Sequence, residues 1–204
     1  PLDIRNQVAL KEIINTTAPD ILINLAAMTN VDACELNPKL AGEINVAGLE
    51  HICDSFKGKI IHLSTDFVFD GTSGPYKEDD PLNPISVYGK TKLASEHILL
   101  EKDIKNLVIR GNVLYDYSPH TSASFLNWVV SSLKGNQEIK VVEDQFNNPT
   151  WTRSMSDIIR LSIENDLEGI IHWGDSEHIS RFEFAKLIAK KFSLNESLIK
   201  PVLT

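Results

Sequence analysis

KIIHLSTDFVFDGTSGPYKEDDPLNPISVYGKTKLASEHILL, residues 59–100, is the stretch whose reading decides the fold. It opens on a short apolar run, Ile60-Ile61-His62-Leu63, of the kind expected for a strand buried on both faces. That run ends on Ser64-Thr65-Asp66. A long loop over 66–86, rich in Gly, Pro and Asp, follows, and loops of that length are usually functional. The stretch closes on a predicted helix from Tyr88 to about Lys102. Tyr88 and Lys92 stand four residues apart, so a helix puts both on one face. A hydroxyl at the C-terminal end of a strand, facing such a pair, lies where open α/β sheets bind ligands.

Outward from this stretch, apolar runs of strand length alternate with segments of helical period. Val8, Leu10, Ile13 and Ile14 predict a helix over 6–17, which Pro19-Asp20 ends. Ile21 to Ala27 reads as a strand, and Pro38 starts a helix that runs to about Lys57-Gly58. Further strands are predicted at 107–109, 139–142 and 170–173. Further helices are predicted at 124–133, 153–163 and 181–192, with a turn at Phe146-Asn147-Asn148-Pro149. This alternation predicts an α/β fold, a Rossmann-type doubly wound parallel sheet with a small C-terminal substrate-binding lobe. Residues 1–115 are assigned to the dinucleotide-binding part. Residues 116–204 are assigned mainly to the lobe, with a strand returning to the sheet. No G-x-G-x-x-G turn occurs, so a strand–turn–helix unit of roughly 30 residues is expected ahead of Pro1.

Composition narrows the class. The 204 residues are 42% hydrophobic and 24% charged, with a formal net charge of −8. That charge argues against nucleic acid as a partner. No apolar run is long enough to span a bilayer and no signal-peptide pattern is present, so a cytoplasmic protein with no membrane partner is expected. Cys34 and Cys53 read as reduced packing thiols. The histidines at 51, 62, 97, 120, 172 and 178 have no metal spacing. His62, inside a strand, reads as a satisfied core or edge histidine. Asp79-Asp80 reads as a solvated acidic turn, and no metal site is assigned.

The residue types of the central stretch suit carbonyl reduction. Reducing a ketone by hydride requires a proton for the developing alkoxide and a donor that holds its oxygen. Tyr88 can give the proton, Lys92 can bias its pKa, and Thr65 can donate to the oxygen.

Ser64-Thr65-Asp66, Val68-Phe69-Asp70-Gly71-Thr72, Tyr76-x-Glu78 and Tyr88-Gly-Lys-Thr-Lys-Leu-Ala-x-Glu96 resemble the extended short-chain dehydrogenase/reductase superfamily. Within it they are most similar to the dTDP-4-dehydrorhamnose reductase family. Asn24-Leu25-Ala26-Ala27-x-Thr29-x-Val31-Asp32, Asn45-Val46-x-Gly48 and Asp144-Gln145-Phe146-x-Asn148-Pro149-Thr150 extend the resemblance along nearly the whole chain. It implies NADPH- or NADH-dependent reduction of the 4-keto group of dTDP-6-deoxy-L-lyxo-4-hexulose to dTDP-L-rhamnose. In that frame Tyr88 is the general acid, Lys92 holds the nicotinamide ribose, and Thr65 binds the reacting oxygen. Asp3 and Ile4 stand beside the adenine, and Leu25, Ala26 and Ala27 line the cofactor. Thr65, Asp66, Phe67, Asn112, Val113, Trp151 and Arg153 are the substrate candidates. A nucleotide sugar is the expected partner. A homodimer is compatible with the resemblance, and so is Mg2+, although no ligand spacing supports the ion.

Two positions depart from the family pattern. Phe67 stands where Tyr usually follows Ser-Thr-Asp, and Val113 stands at a usual Trp. Asp66 is read either as a substrate contact or as a loop cap, and Arg153 either as a pyrophosphate partner or as a helix-start cation. A related nucleotide-sugar epimerase or dehydratase is an alternative, although no Glu follows Asp66 as a dehydratase would have it. The regulatory β subunits of methionine adenosyltransferase share Phe-Asp-Gly-Thr and Tyr-Gly-Lys-Thr-Lys-Leu. By that resemblance the chain binds NADP and a partner protein without turning over a sugar.

Overall fold

The computed structural model describes residues 2–102, 105–118 and 124–204; Pro1 and His120 lie outside the described residues. In chain order the elements are α1 (Gln7–Thr17), β1 (Ile21–Asn24), α2 (Val31–Leu36), α3 (Pro38–Gly42), a π-turn (Glu43–Ala47), α4 (Gly48–Ser55), β2 (Lys59–Thr65), α5 (Val87–Leu100), β3 (Leu107–Gly111) and β4 (Leu114–Tyr115). Then come α6 (Phe125–Lys134), β5 (Ile139–Val142), β6 (Phe146–Asn147), β7 (Thr150–Trp151), α7 (Thr152–Glu164), β8 (Gly169–Trp173), β9 (Ile179–Ser180), α8 (Arg181–Lys191) and β10 (Ile199–Val202). Short polar side chains start several of the helices by accepting from backbone N–H groups of the first turn. Asn6 accepts from Ala9, Ser86 from Gly89, Ser124 from Asn127 and Ser180 from Glu183. Ala18 closes α1 in the left-handed region, and Pro19 prevents its continuation.

The chain divides into two compact units. The first comprises residues 1–111 and 159–172, the second 112–158 and 173–204. The division thus falls at Gly111, not Tyr115, and part of α7 and most of β8 belong to the first unit. The first unit is built on a sheet of order β1-β2-β3-β8. β2 pairs in parallel with both neighbours, with Ile21 opposite Lys59 and Ile61 opposite Leu107. Ile60 and Val108 face α1, α4 and α5 through Leu10, Leu49, Ile52 and Leu99. Asn106 links the elements: its side chain accepts from the Ile60 N–H at 3.0 Å and donates to the Leu99 carbonyl at 3.1 Å. Its carbonyl accepts from the Gly169 N–H at 2.8 Å.

The second unit packs α6 and α8 over the parallel pair β5–β10 through Val129, Leu133, Val141 and Ile188. β4 and β7 pair in parallel, and β6 and β9 antiparallel.

Several elements differ from those predicted, among them the turn expected at 146–149, whose first two residues form β6 against β9. The strand from Ile21 ends at Asn24, because Asn24 turns its side-chain oxygen to the Ala26 N–H at 3.1 Å and takes the backbone out of the ladder. The long helix from Pro38 is interrupted by the π-turn at 43–47. β10 has no predicted counterpart; its pairing with β5 alone gives Pro201 an edge position, where a strand tolerates proline.

Candidate active site

β2 is central in its sheet and ends at Thr65, so the Ser64-Thr65-Asp66 corner sits at the C-terminal end of a parallel strand, as ligand sites of such sheets do. The Thr65 hydroxyl oxygen accepts from the Phe67 N–H at 3.2 Å, and its proton faces Asp66 Oδ1 at 3.1 Å. The Thr65 side chain lies close enough to the Tyr88 phenol to influence its titration. The Phe67 and Tyr88 rings meet edge to face, with centroids 5.7 Å apart. Gly89 allows this approach: a Cβ there would collide with the Phe67 carbonyl oxygen. Thr65, Asp66, Phe67 and Tyr88 are therefore brought together. Asp66 opens a short helical turn over 66–68.

Burial pushes the Tyr88 phenol up to about 12, against the opposing pull of Thr65, and the charge of Asp66 pushes in the same direction as burial. Tyr88 thus keeps its proton across the neutral range, as a proton donor must. The expected bias from Lys92 is not what sets this value. Lys92 is 2% exposed, and its Nζ lies 2.7 Å from the Leu63 carbonyl oxygen and 2.9 Å from His62 Nε2. Burial brings the Lys92 ammonium down to about 8, opposed by the charge of Glu96. Burial, with Lys92 beside it, holds His62 well below its usual range.

A buried network supports this corner. Ser64 donates to Glu96 Oε1, and Arg110 pairs with Glu96 through Nε and Nη2, the latter at 2.8 Å from Oε2. Arg110 Nη1 reaches the Glu78 carbonyl at 3.1 Å, and the Glu78 carboxylate accepts from the His172 N–H at 2.8 Å. The guanidinium also lies over Phe69, which stacks on Tyr76 at 4.3 Å. Asp70 gathers the loop by accepting from Tyr76, Thr72 and Asn83, and those bonds hold its carboxyl below the usual carboxylate range. In this way α5, β3 and the 66–86 loop are tied to the end of β2.

The cofactor candidates are distributed unevenly. Leu25 is 60% exposed at the C-terminal end of β1, with Ala26 and Ala27 following as an apolar ledge. Asn45, on the π-turn, fixes the next loop by accepting from the Met28 N–H at 2.7 Å and donating to the Met28 carbonyl and Thr91. π-turns are frequent at functional sites. Asp3, expected beside the adenine, pairs with Arg5 at 2.7 Å, which brings its carboxyl to about 2. Ile4 packs on Gly48, where a Cβ would come within 2.5 Å of it.

In the second unit, β4 and β7 place Tyr115 opposite Trp151. Trp151 is 44% exposed, with the Arg153 guanidinium 6.0 Å from its ring centroid. The Trp151 N–H donates to Asp175, which also accepts from Ser154 at 2.6 Å. Val113 has a positive φ, in the left-handed region that strains a β-branched residue. Its carbonyl accepts from the Thr150 N–H. The buried Asn112 Oδ1 has no hydrogen-bond partner. The two candidate clusters thus lie on different units, Thr65 to Lys92 on the first and Asn112 to Arg153 on the second.

His62, read from the sequence as a satisfied core or edge histidine, is buried with partners at both ring nitrogens, while its contact with Lys92 and the Arg110–Glu96 pair were not anticipated. For His62 the available signal was strand alternation, which puts it on the same side of β2 as Ser64.

All 204 residues match the family model described as RmlD substrate binding domain. The chain belongs to that family. It is 30% identical over 218 residues to dTDP-4-dehydrorhamnose reductase of Aggregatibacter actinomycetemcomitans, covering 100% of this chain and 73% of the relative. It is equally 30% identical over 210 residues to the methionine adenosyltransferase 2 subunit beta of Xenopus tropicalis, covering 98% of this chain and 63% of that one. A crystal structure of dTDP-4-dehydrorhamnose reductase from Bacillus anthracis in complex with NADP superposes with a TM-score of 0.91 at 31% identity, covering 100% of this chain and 72% of that one. The fold is the Rossmann-type α/β fold of these reductases. Among the described residues no group of three or more His, Cys, Asp or Glu side chains is placed to hold a metal ion, and no helix is long and apolar enough to cross a membrane.

Proposed function

We propose that this family member reduces the 4-keto group of a dTDP-linked 6-deoxy-hexulose, giving dTDP-L-rhamnose, with NADPH or NADH. The observation that carries this reading is the placement of Tyr88 beside Phe67 and Thr65 at the end of β2, with Lys92 one turn further along α5. The nicotinamide, when bound, supplies the hydride to C4. Thr65 holds the C4 oxygen. Tyr88 gives its proton to that oxygen as the C=O π bond breaks, so one new C–H and one new O–H bond form, and the phenol is re-protonated afterwards. Leu25, Ala26, Ala27 and Lys92 are the cofactor contacts. Asp66 and Phe67, beside Thr65 and Tyr88, are the sugar contacts of the first unit.

A second reading is favoured by the equal identity to the methionine adenosyltransferase subunit. In it the chain binds a dinucleotide and a synthetase partner without turnover. Incubating the full-length protein with NADPH and the dTDP-4-keto sugar separates the two. Loss of NADPH absorbance with formation of the 4-hydroxy sugar supports the reductase. No turnover, together with a stable complex with a methionine adenosyltransferase catalytic subunit, overturns it.

A further inference from the structure

His62 has polar groups around both ring nitrogens, and their donor and acceptor roles can be assigned. Asn24 Oδ1 is occupied by the Ala26 N–H at 3.1 Å, so the Asn24 amide nitrogen is what faces His62 Nδ1, at 3.1 Å. An amide nitrogen only donates, so Nδ1 carries the lone pair and the neutral ring carries its proton on Nε2. Nε2 lies 3.0 Å from Ser95 Oγ, and Ser95 gives its own proton to the Lys92 carbonyl at 2.7 Å, so Ser95 can accept from Nε2–H. Lys92 Nζ lies 2.9 Å from that same protonated nitrogen. An ammonium at this point meets a donor, whereas a neutral amine accepts from Nε2–H while donating to the Leu63 carbonyl.

We propose that His62, fixed by Asn24 as its Nε2–H tautomer, is a positioning residue for Lys92: it offers the ammonium no acceptor beside the Leu63 carbonyl and so steers the protonated side chain out of the buried position, which it leaves to the neutral amine. The lowered proton affinity of Lys92 agrees with this arrangement. The charged or titratable groups facing Lys92 are His62 from β2 and Glu96 from its own helix, and Glu96 is paired with Arg110 of β3. The kinetic consequence rests on the reductase reading; the tautomer does not.

The test has two arms. In the full chain with 15N-labelled histidine, long-range 1H–15N correlation at neutral pH should show His62 with bare Nδ1 and protonated Nε2. A protonated Nδ1, in either the neutral ring or the imidazolium, overturns the proposal. The second arm is Asn24→Asp, whose carboxylate accepts at both oxygens, pulls the proton to Nδ1 and turns Nε2 into an acceptor for the ammonium. The variant should show the reversed tautomer, an alkaline limb of the kcat profile moved to higher pH, and kcat lowered roughly 10- to 100-fold, the worth of a hydrogen bond to a charged group. The KM for the sugar should be unchanged. A reversed tautomer with wild-type kcat overturns the steering. If Asn24→Asp does not fold, the wild-type tautomer decides alone. A wild-type protein without turnover fails the functional reading, while the tautomer still decides this inference.

Discussion

Arg110 and Glu96 face each other in the interior of the first unit, each side chain 1% exposed, with Nη2 2.8 Å from Oε2. Two charges so placed are sustained by each other and by hydrogen bonds. Here Ser64 serves the carboxylate, and the Glu78 carbonyl and His172 serve the guanidinium. Removing one partner leaves the other uncompensated, whereas removing both does not. Arg110→Met should therefore destabilise the protein by about 3–5 kcal/mol in urea unfolding. The double variant Arg110→Met/Glu96→Leu should recover most of that loss. A single variant as stable as wild type would contradict the role of the pair.

Gly89 sits where the backbone of the 66–68 turn rests on α5. A methyl group there runs into the Phe67 carbonyl oxygen, and a backbone atom cannot step aside cheaply. Gly89→Ala should cost about 1–3 kcal/mol, the range for overpacking. It should also lower kcat, because the shift passes to Phe67 and Tyr88. Unfolding midpoints and turnover measured on the same sample check both parts.

Val113 provides a prediction of opposite sign. Its left-handed backbone is costly for a β-branched residue and tolerable for asparagine. Val113→Asn should stabilise the protein by about 1 kcal/mol, the lower end of such strain. A lower melting temperature for that variant would show that Val113 packing outweighs its strain.

His62 predicts a pH dependence. Its folded pKa is depressed, so below the ordinary value of 6.5 the unfolded chain binds a proton that the folded chain does not. Stability from this group is therefore full above about pH 6.5 and falls by up to about 1.4 kcal/mol for each pH unit below it. Urea midpoints at mildly acidic and neutral pH should show this slope in wild type and a shallower one in His62→Gln. Equal slopes would contradict it.

Much of this site could be read from spacing alone. Tyr88 and Lys92 are one helical turn apart, and Thr65 ends an apolar run, so their elements were legible. What Lys92 touches was not, because its partners His62 and Leu63 lie on a strand some thirty residues earlier and meet it only through packing. Asn45 stood in a quoted motif, but the π-turn that carries it was not legible, because such a turn leaves no mark on the apolar period around it. Leu114-Tyr115 and Thr150-Trp151 are strands only by virtue of each other, being too short to show a period of two. β10 was not legible, because the edge position of Pro201 depends on which strands pair.

The central claim, that Tyr88 delivers the proton, is tested most directly by Tyr88→Phe in the full-length protein. The ring remains to pack against Phe67, while the proton is lost. Turnover of the dTDP-4-keto sugar should fall by roughly 10²–10⁴-fold, with NADPH affinity nearly unchanged by fluorescence titration. Wild-type turnover in Tyr88→Phe would contradict the account.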